Sequence, residues 1–247
     1  MRLSVDGLSR VLECLAAGAG GLGAVVICEG ALSREELQRL EGQAQHAKVP
    51  TQVLPRDRFL AHPACPAGCR STFALLDYEE TEGLDDLLEL PVANRGILAL
   101  DGITDPGNLG AMIRSAVWFG ITDLILPKNN AAALNEAVLL RSAGALAHAR
   151  IYRVNNLVRA LEQLKEAGYW ILGTSLGAKE ELAGADLSGP LVMVIGSEGK
   201  GMRRLVEQSC DRLVKLGAPQ SPIGSLNASA FTAVLLYQRW LSCAGKK

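Results

Sequence analysis

From Arg95 to Leu126 the chain reads RGILALDGITDPGNLGAMIRSAVWFGITDLIL. The unbroken apolar run Gly96–Leu100 has the length and composition of a strand buried on both faces. Asp105-Pro106-Gly107 is a turn, because proline presets the backbone and glycine relieves it. Gly107–Phe119 then carries apolar residues at helical spacing, and Asp123–Leu126 is a second short apolar run. A strand, a helix and a strand joined by short turns form a right-handed crossover between parallel neighbours.

The same alternation continues outward to the C-terminal side. Strand-like runs recur at Arg150–Arg153, Tyr169–Leu172, Leu191–Ile195 and Arg212–Leu216. Helical stretches lie at Leu134–Ala143, Asn156–Ala167, Met202–Ser209 and Ser225 to about Cys243. The fold class is therefore α/β, with a mostly parallel sheet under helices. Ligands of such sheets bind beyond the strand C-termini, so the chemistry is expected just after the strands.

Upstream the units are shorter. A helical stripe (Leu8, Val11, Leu12, Leu15) predicts a helix over Val5–Ala17, and Ala24–Cys28, Thr51–Leu54 and Ser71–Leu76 predict strands. Ser33 with Glu36 three residues on is a capping box, opening a helix through about Ala47. The expected organisation is a small α/β domain over residues 1–78, an acidic linker over 79–94 and a larger domain over 95–247.

Composition narrows the function classes. The net charge is −1, but residues 1–90 hold 8 Lys/Arg against 14 Asp/Glu and residues 91–247 hold 17 against 12. Contacts to phosphate are thus expected mainly on the C-terminal part. No uninterrupted apolar run is long enough for a membrane helix, and Met1–Ser9 lacks the pattern of a secretory signal, so a cytoplasmic protein is expected. The six cysteines are scattered, and Cys65 with Cys69 has no second pair at ligand spacing, so no metal site is expected. The glycines of Gly18–Gly23 match a dinucleotide fingerprint in letters, but they follow a helix and open a strand, the reverse of the required order. That order argues against a nucleotide-dependent oxidoreductase. Gly196–Gly201 fails the phosphate-loop spacing, and His46, His62 and His148 share no motif with a nucleophile.

Three segments remain as carriers of chemistry. The first, Leu100–Ala116, passes from strand through turn to helix and presents Asn108 and Arg114, with Gly110 and Ala111 small enough for close backbone approach. Asn108 and Arg114 are six apart and converge on one ligand only if Asn108 sits at the helix mouth. The second, Leu191–Arg204, ends a buried strand in glycines (Gly196, Gly199, Gly201) that surround Glu198. Glycines there let backbone amides face a ligand. The third, Leu216 to Phe231, leads into the last helix with Ser225 as the expected N-cap and Asn227 and Ser229 in the first turns.

In this order and spacing the three segments resemble the three motifs of the SpoU (TrmH-like) branch of the SPOUT methyltransferases, most closely the 23S rRNA guanosine 2′-O-methyltransferase group. The resemblance runs through residues 96–243, and the preceding residues resemble the family's small substrate-binding domain. It implies a trefoil-knotted C-terminal domain, a homodimer with sites built from both subunits, RNA (ribosomal RNA first) as substrate, and S-adenosyl-L-methionine as cofactor. The cofactor residues it implies are Gly173, Thr174, Ser175, Ile195, Gly196, Gly201, Leu216, Ser225 and Leu226. The catalytic set it implies is Asn108, Arg114, Glu198, Ser225 and Asn227. Arg114 is implied as either the base or an electrostatic anchor, and Glu198 either aligns Arg114 or contacts RNA. A tRNA ribose methyltransferase and a non-catalytic RNA-binding relative share these motifs. Two departures from the family pattern stand out: Gly107 in place of the common His, and Leu216–Pro222 in place of the usual Ile-Pro-Met.

Overall fold

A computed structural model describes residues 2–16, 21–217 and 226–244. The chain divides into two compact units, Met1–Glu79 with Leu134–His148, and Glu80–Ala133 with Ala149–Lys247.

The first unit contains β1 (Arg2–Asp6), α1 (Leu8–Ala16), β2 (Leu22–Cys28), α2 (Arg34–His46), β3 (Thr51–Leu54), α3 (Arg56–Leu60) and β4 (Thr72–Asp77). Its sheet runs β1-β4-β2-β3, with β4 antiparallel to both neighbours and β2 parallel to β3. The capping box before α2 is present, with Ser33 and Glu36 each accepting from the other's backbone N–H. Residues 2–6 correct the sequence reading, which began the first helix at Val5. Leu3 and Val5 alternate with Ser4 as strand residues do, and Gly7, at φ +88°, separates strand from helix. The glycines at 18–20 lie outside the described residues.

The second unit opens with β5 (Thr81–Glu82) and α4 (Asp85–Leu88), both within the segment read from sequence as a linker. β5 pairs with a strand of the large sheet, and Leu84 and Leu87 are buried in its core, so this acidic stretch has apolar residues on one side. Then come β6 (Gly96–Asp101), α5 (Pro106–Trp118) and β7 (Asp123–Pro127). Residues 134–148 belong to the first unit, where α6 (Glu136–Ser142) meets β1 and Ser4 Oγ donates to Glu136 Oε1 at 2.7 Å. Helical spacing identifies such a segment as amphipathic but does not say which sheet it covers. The chain continues through β8 (Arg150–Val154), α7 (Leu157–Glu166), β9 (Trp170–Thr174), β10 (Glu180–Glu181), β11 (Leu191–Gly196), α8 (Arg204–Gln208), β12 (Arg212–Lys215) and α9 (Ala228–Ala244).

Eight strands of this unit form one sheet in the order β10-β12-β9-β11-β6-β7-β8-β5, every pair parallel. One face packs Ile97, Ala99, Val192 and Val194 against Leu157, Leu161 and Leu164 of α7. Gly96 faces the other way, towards α9. The chain builds outward from β6 through β7 to β8, then returns to lay β9 and β11 on the opposite side of β6. That reversal opens a crevice at the C-terminal ends of β6, β11 and β9.

At the other end of the strands the buried Asp123 accepts from Arg95, Arg150 and the Tyr152 hydroxyl, and burial with this carboxylate pushes the Tyr152 phenol up to about 12. α9 is fastened by a buried guanidinium: Arg239 donates to the carbonyls of Leu187, Asn94 and Gly189, the last two both at 2.9 Å. Burial lowers its pKa, yet the three carbonyls each take up one of its terminal N–H donors. Among the described residues no helix is long and apolar enough to cross a membrane.

A Cβ at Gly96 would stand 2.4 Å from Ile121 Cδ1 and 2.6 Å from Arg239 Nε. Gly96→Ala is therefore expected to destabilise the protein by about 1–3 kcal/mol. A lowered urea midpoint checks this, and an unchanged midpoint would mean that α9 is not closely seated on β6.

Candidate active site

The turn after β11 decides the shape of the site. Ser197 and Gly201 close it by exchanging backbone hydrogen bonds at 3.1 and 2.9 Å, and Gly199 and Gly201 take φ of +77° and +67°. A Cβ on Gly196 would lie 2.1 Å from Gly201 C and from Met202 N, so two stretches of main chain pass in direct contact there. The turn is lashed to the end of β6 by Asp101, a carboxylate with 0% side-chain exposure. Asp101 accepts from the backbone N–H of Arg203 and from its Nε, both at 2.7 Å.

This places Glu198 at the turn's tip, where three segments meet. Its Oε1 accepts from Asn108 Nδ2 at 3.1 Å, from Asn227 Nδ2 and from the backbone N–H of Ala228 at 3.1 Å. Asn227 Nδ2 also donates to Asn108 Oδ1 at 3.0 Å. Each asparagine stands at a helix mouth. Asp105 caps α5 by accepting from Asn108 N at 2.7 Å. Asn227 caps α9, its Oδ1 accepting from Ser229 N at 2.9 Å and Ala230 N at 3.3 Å. The expected N-cap, Ser225, lies outside the described residues; the cap that the structure shows is Asn227. Glu198 thus faces the N-termini of two helices, where free N–H groups and the helix dipoles favour a negative charge.

Beside this network runs a cleft of about 670 Å³, lined by residues 174–177, 195–202, Glu207, 214–216, Leu226, Ala228 and Phe231. Thr174, Ser175, Ile195, Gly196, Gly201, Leu216 and Leu226 all line it, as does Glu198. Gly173 does not: it lies beneath the wall, where a Cβ would meet Cys210 Sγ at 2.5 Å and Met202 Cε at 2.7 Å. Burial pushes the Cys210 thiol up to about 12. Arg114 also stands apart. It is exposed, two turns along α5 from Asn108, and makes no hydrogen bond or ion pair among the described residues. No hydrogen bond or ion pair joins Glu198 to Arg114 among the described residues; the bonds of Glu198 Oε1 go to the two asparagines and Ala228 N.

Sequence reasoning passed over Asp101, Met202, Arg203, Glu207 and Phe231. A carboxylate closing an apolar run was the one signal available for Asp101, since a buried charge requires a partner. Among the described residues no group of three or more His, Cys, Asp or Glu side chains is placed to hold a metal.

The sequence model of the SpoU rRNA methylase family matches residues 95–237. The chain belongs to this family. Among SpoU relatives, the 23S rRNA (guanosine-2′-O-)-methyltransferase RlmB of Pseudomonas putida is 46% identical over 155 residues, which cover 63% of this chain and 62% of that protein. The match therefore spans about six tenths of that relative's length. A putative TrmH family tRNA/rRNA methyltransferase of Staphylococcus aureus is 32% identical over 87% of this chain and 86% of its own. The crystal structure of the SpoU methyltransferase AviRb from Streptomyces viridochromogenes superposes with a TM-score of 0.76 at 20% identity, over 100% of this chain and 91% of that one. SpoU methyltransferases use S-adenosylmethionine, and AviRb has been solved with it.

The Glu198–Asn227 contact yields a test by substitution. Asn227→Ala loses both the cap and a donor to Glu198 and is expected to lower stability by about 1–2 kcal/mol. Asn227→Asp keeps the cap but sets a second carboxylate against Glu198, and is expected to lower stability as well. Urea unfolding checks both, and a wild-type midpoint for Asn227→Asp would place Glu198 elsewhere.

Proposed function

We propose that this chain transfers the methyl group of S-adenosyl-L-methionine to the ribose 2′-hydroxyl of a guanosine in 23S ribosomal RNA. The observation that carries the reading is Glu198, held by Asn108 and Asn227 at the mouth of the cleft in a SpoU-family chain. The substrate reading is supported by RlmB relatives at 42–46% identity. The tRNA reading rests on relatives named for tRNA/rRNA and on a solved A. aeolicus TrmH/SpoU tRNA modifying enzyme at TM-score 0.54. Residues 1–78 serve as the RNA substrate-binding domain in this reading, and the protein works in the cytoplasm.

The cleft suits the cofactor. Its volume is within the usual range for small-molecule sites, roughly 300–1,000 Å³, and Ile195, Met202, Val214 and Phe231 offer apolar walls to a flat base. Gly177, Gly196 and Gly201 line it with main chain and add no side-chain bulk. When bound, the sulfonium supplies a methyl already activated for in-line displacement, so the chemistry calls for no metal. Thr174, Ser175, Ile195, Gly196, Gly201, Leu216 and Leu226 form the wall of its site, with Gly173 supporting them from below. We read this unit as the family's trefoil-knotted domain; the bond from Ala228 N to Glu198, which ties the start of α9 to the turn after β11, supports that reading.

The remaining difficulty is the nucleophile, since a ribose hydroxyl titrates far above neutral pH. Asn108, fixed by Glu198 and Asn227, orients the hydroxyl. Arg114 holds the developing alkoxide and the neighbouring phosphate, because a guanidinium ordinarily keeps its proton beyond about pH 12 and is a poor base. The hydroxyl proton passes to water at the open mouth of the cleft.

Arg114 reaches a site in a homodimer. It is four residues before Trp118 on α5 and shares its face. Trp118 is 83% exposed, and Tyr237 and Trp240 of α9, half-exposed and stacked at 6.0 Å, extend the apolar surface past Phe119. A second copy seated on this face covers these rings and takes Arg114 to the partner's cleft.

Tritiated S-adenosylmethionine incubated with unmodified 23S rRNA and with tRNA, followed by mapping, tests the reaction: label on one rRNA guanosine is expected, and label only on tRNA would overturn the substrate. Arg114→Ala is expected to abolish transfer while cofactor binding survives. Mixing inactive Arg114→Ala with inactive Glu198→Ala should restore about a quarter of the activity, since half the dimers are mixed and each has one intact site. No recovery would put Arg114 in its own subunit's site.

A further inference from the structure

Asp101 and Arg203 have no part in the reaction described above, and their arrangement goes beyond holding a turn. A buried carboxylate is costly unless it is paired. Asp101 is fully buried, and its partners are the N–H and Nε of a single residue. The Arg203 side chain is nevertheless 53% exposed. Bonding through Nε leaves both terminal nitrogens, Nη1 and Nη2, without a partner among the described residues. The guanidinium plane is thus fixed from behind while its outer edge faces solvent.

That edge lies beside the turn carrying Glu198. Lys200 and Arg204, both exposed and without ion pairs among the described residues, put two more cations within four positions. Gly199 and Gly201 keep the turn between them free of bulk. Arg203 does not line the cleft, so its free edge is available to a ligand outside it. A planar fork of donors matches the oxygens of a phosphodiester better than a flexible ammonium does, and fixing it in advance lessens the ordering that binding must impose.

We propose that Arg203, docked on Asp101, is a phosphate-binding residue for the RNA strand, seating a phosphodiester next to the nucleotide presented to the cleft. The assignment rests on the RNA methyltransferase reading of the site. Arg203 is a substrate-positioning residue, separate from Arg114, and its loss weakens RNA binding without altering the cofactor cleft.

The test uses the full-length protein with in-vitro-transcribed 23S rRNA and S-adenosylhomocysteine as the cofactor probe. For Arg203→Gln the KM for rRNA is expected to rise about tenfold while affinity for S-adenosylhomocysteine stays at the wild-type value; the glutamine Nε2, placed where Arg203 Nε stands, can still donate to Asp101, so the lost charge lowers Tm but leaves the protein folded. The salt dependence of rRNA binding, log K against log[salt], should flatten by about 0.7–0.9, the contribution of one phosphate contact. Arg203→Lys covers the case in which the glutamine variant unfolds: its single ammonium stays on Asp101 and preserves the turn, with no second nitrogen for the RNA, so the KM rises and the slope flattens likewise. A wild-type slope in a folded variant would overturn the proposal, and so would loss of S-adenosylhomocysteine binding together with loss of RNA binding, which would make Arg203 a brace for the turn. If the wild-type protein binds S-adenosylhomocysteine but not rRNA, it is the RNA reading that fails, and the assignment of Arg203 fails with it.

Discussion

Glu198 Oε1 gathers donors from Asn108, Asn227 and Ala228, residues that reach it from α5 and α9. Two of the three are asparagine amides and one is a backbone N–H, so no cation is spent on neutralising the carboxylate. The two helix N-termini supply the compensating field instead. The arrangement leaves nearby arginines free for other work, and it makes the position of each helix depend on the other through one oxygen. The cleft shares residues with this junction: Glu198 and Ala228 line it as well as meeting each other. Its shape is therefore set by the same contacts that fix the helices.

The parallel sheet was legible because each strand is a compact apolar run separated from the next by a helix-length segment, a pattern that few architectures share. Asn108, Glu198 and Asn227 stood out for a related reason, being polar residues placed where strand C-termini meet turns. What could not be read was pairwise. Val5 belongs to both a helical stripe and a strand alternation, and the choice is made by Gly7 and by pairing with β4. Residues 136–142 have a helix's spacing, yet the partner sheet is in the first unit, which spacing does not encode. The acidic stretch 79–94 has the composition of a linker, but Leu84 and Leu87 on one side are enough to bury it. Ser225 and Asn227 are both good caps, and only the observed bonds to Ser229 and Ala230 choose between them.

Two kinds of buried charge serve the large unit differently. Asp123 sits at the N-terminal end of the strands amid Arg95, Arg150 and Tyr152, saturated and remote from the cleft. Asp101, at the opposite end, is satisfied by one residue that remains half in solvent. A cluster of the first kind holds strands in register. The second kind aims a side chain, and the two ends of the strands are in this sense divided between rigidity and display.

The Arg239 clamp bears on the order in which the molecule is put together. Its three acceptors belong to Asn94, Leu187 and Gly189, on the segments that lead into β6 and β11. A guanidinium entering that position before both segments are in place would be stranded in an apolar interior, with its donors empty. Seating of α9 is thus conditional on a sheet whose central strands are already paired, and Asn227 meets Glu198 only once that helix is down. The junction at the cleft's mouth thus depends on segments that meet at the far end of α9, so a change at Asn94, Leu187 or Gly189 bears on a site it does not touch.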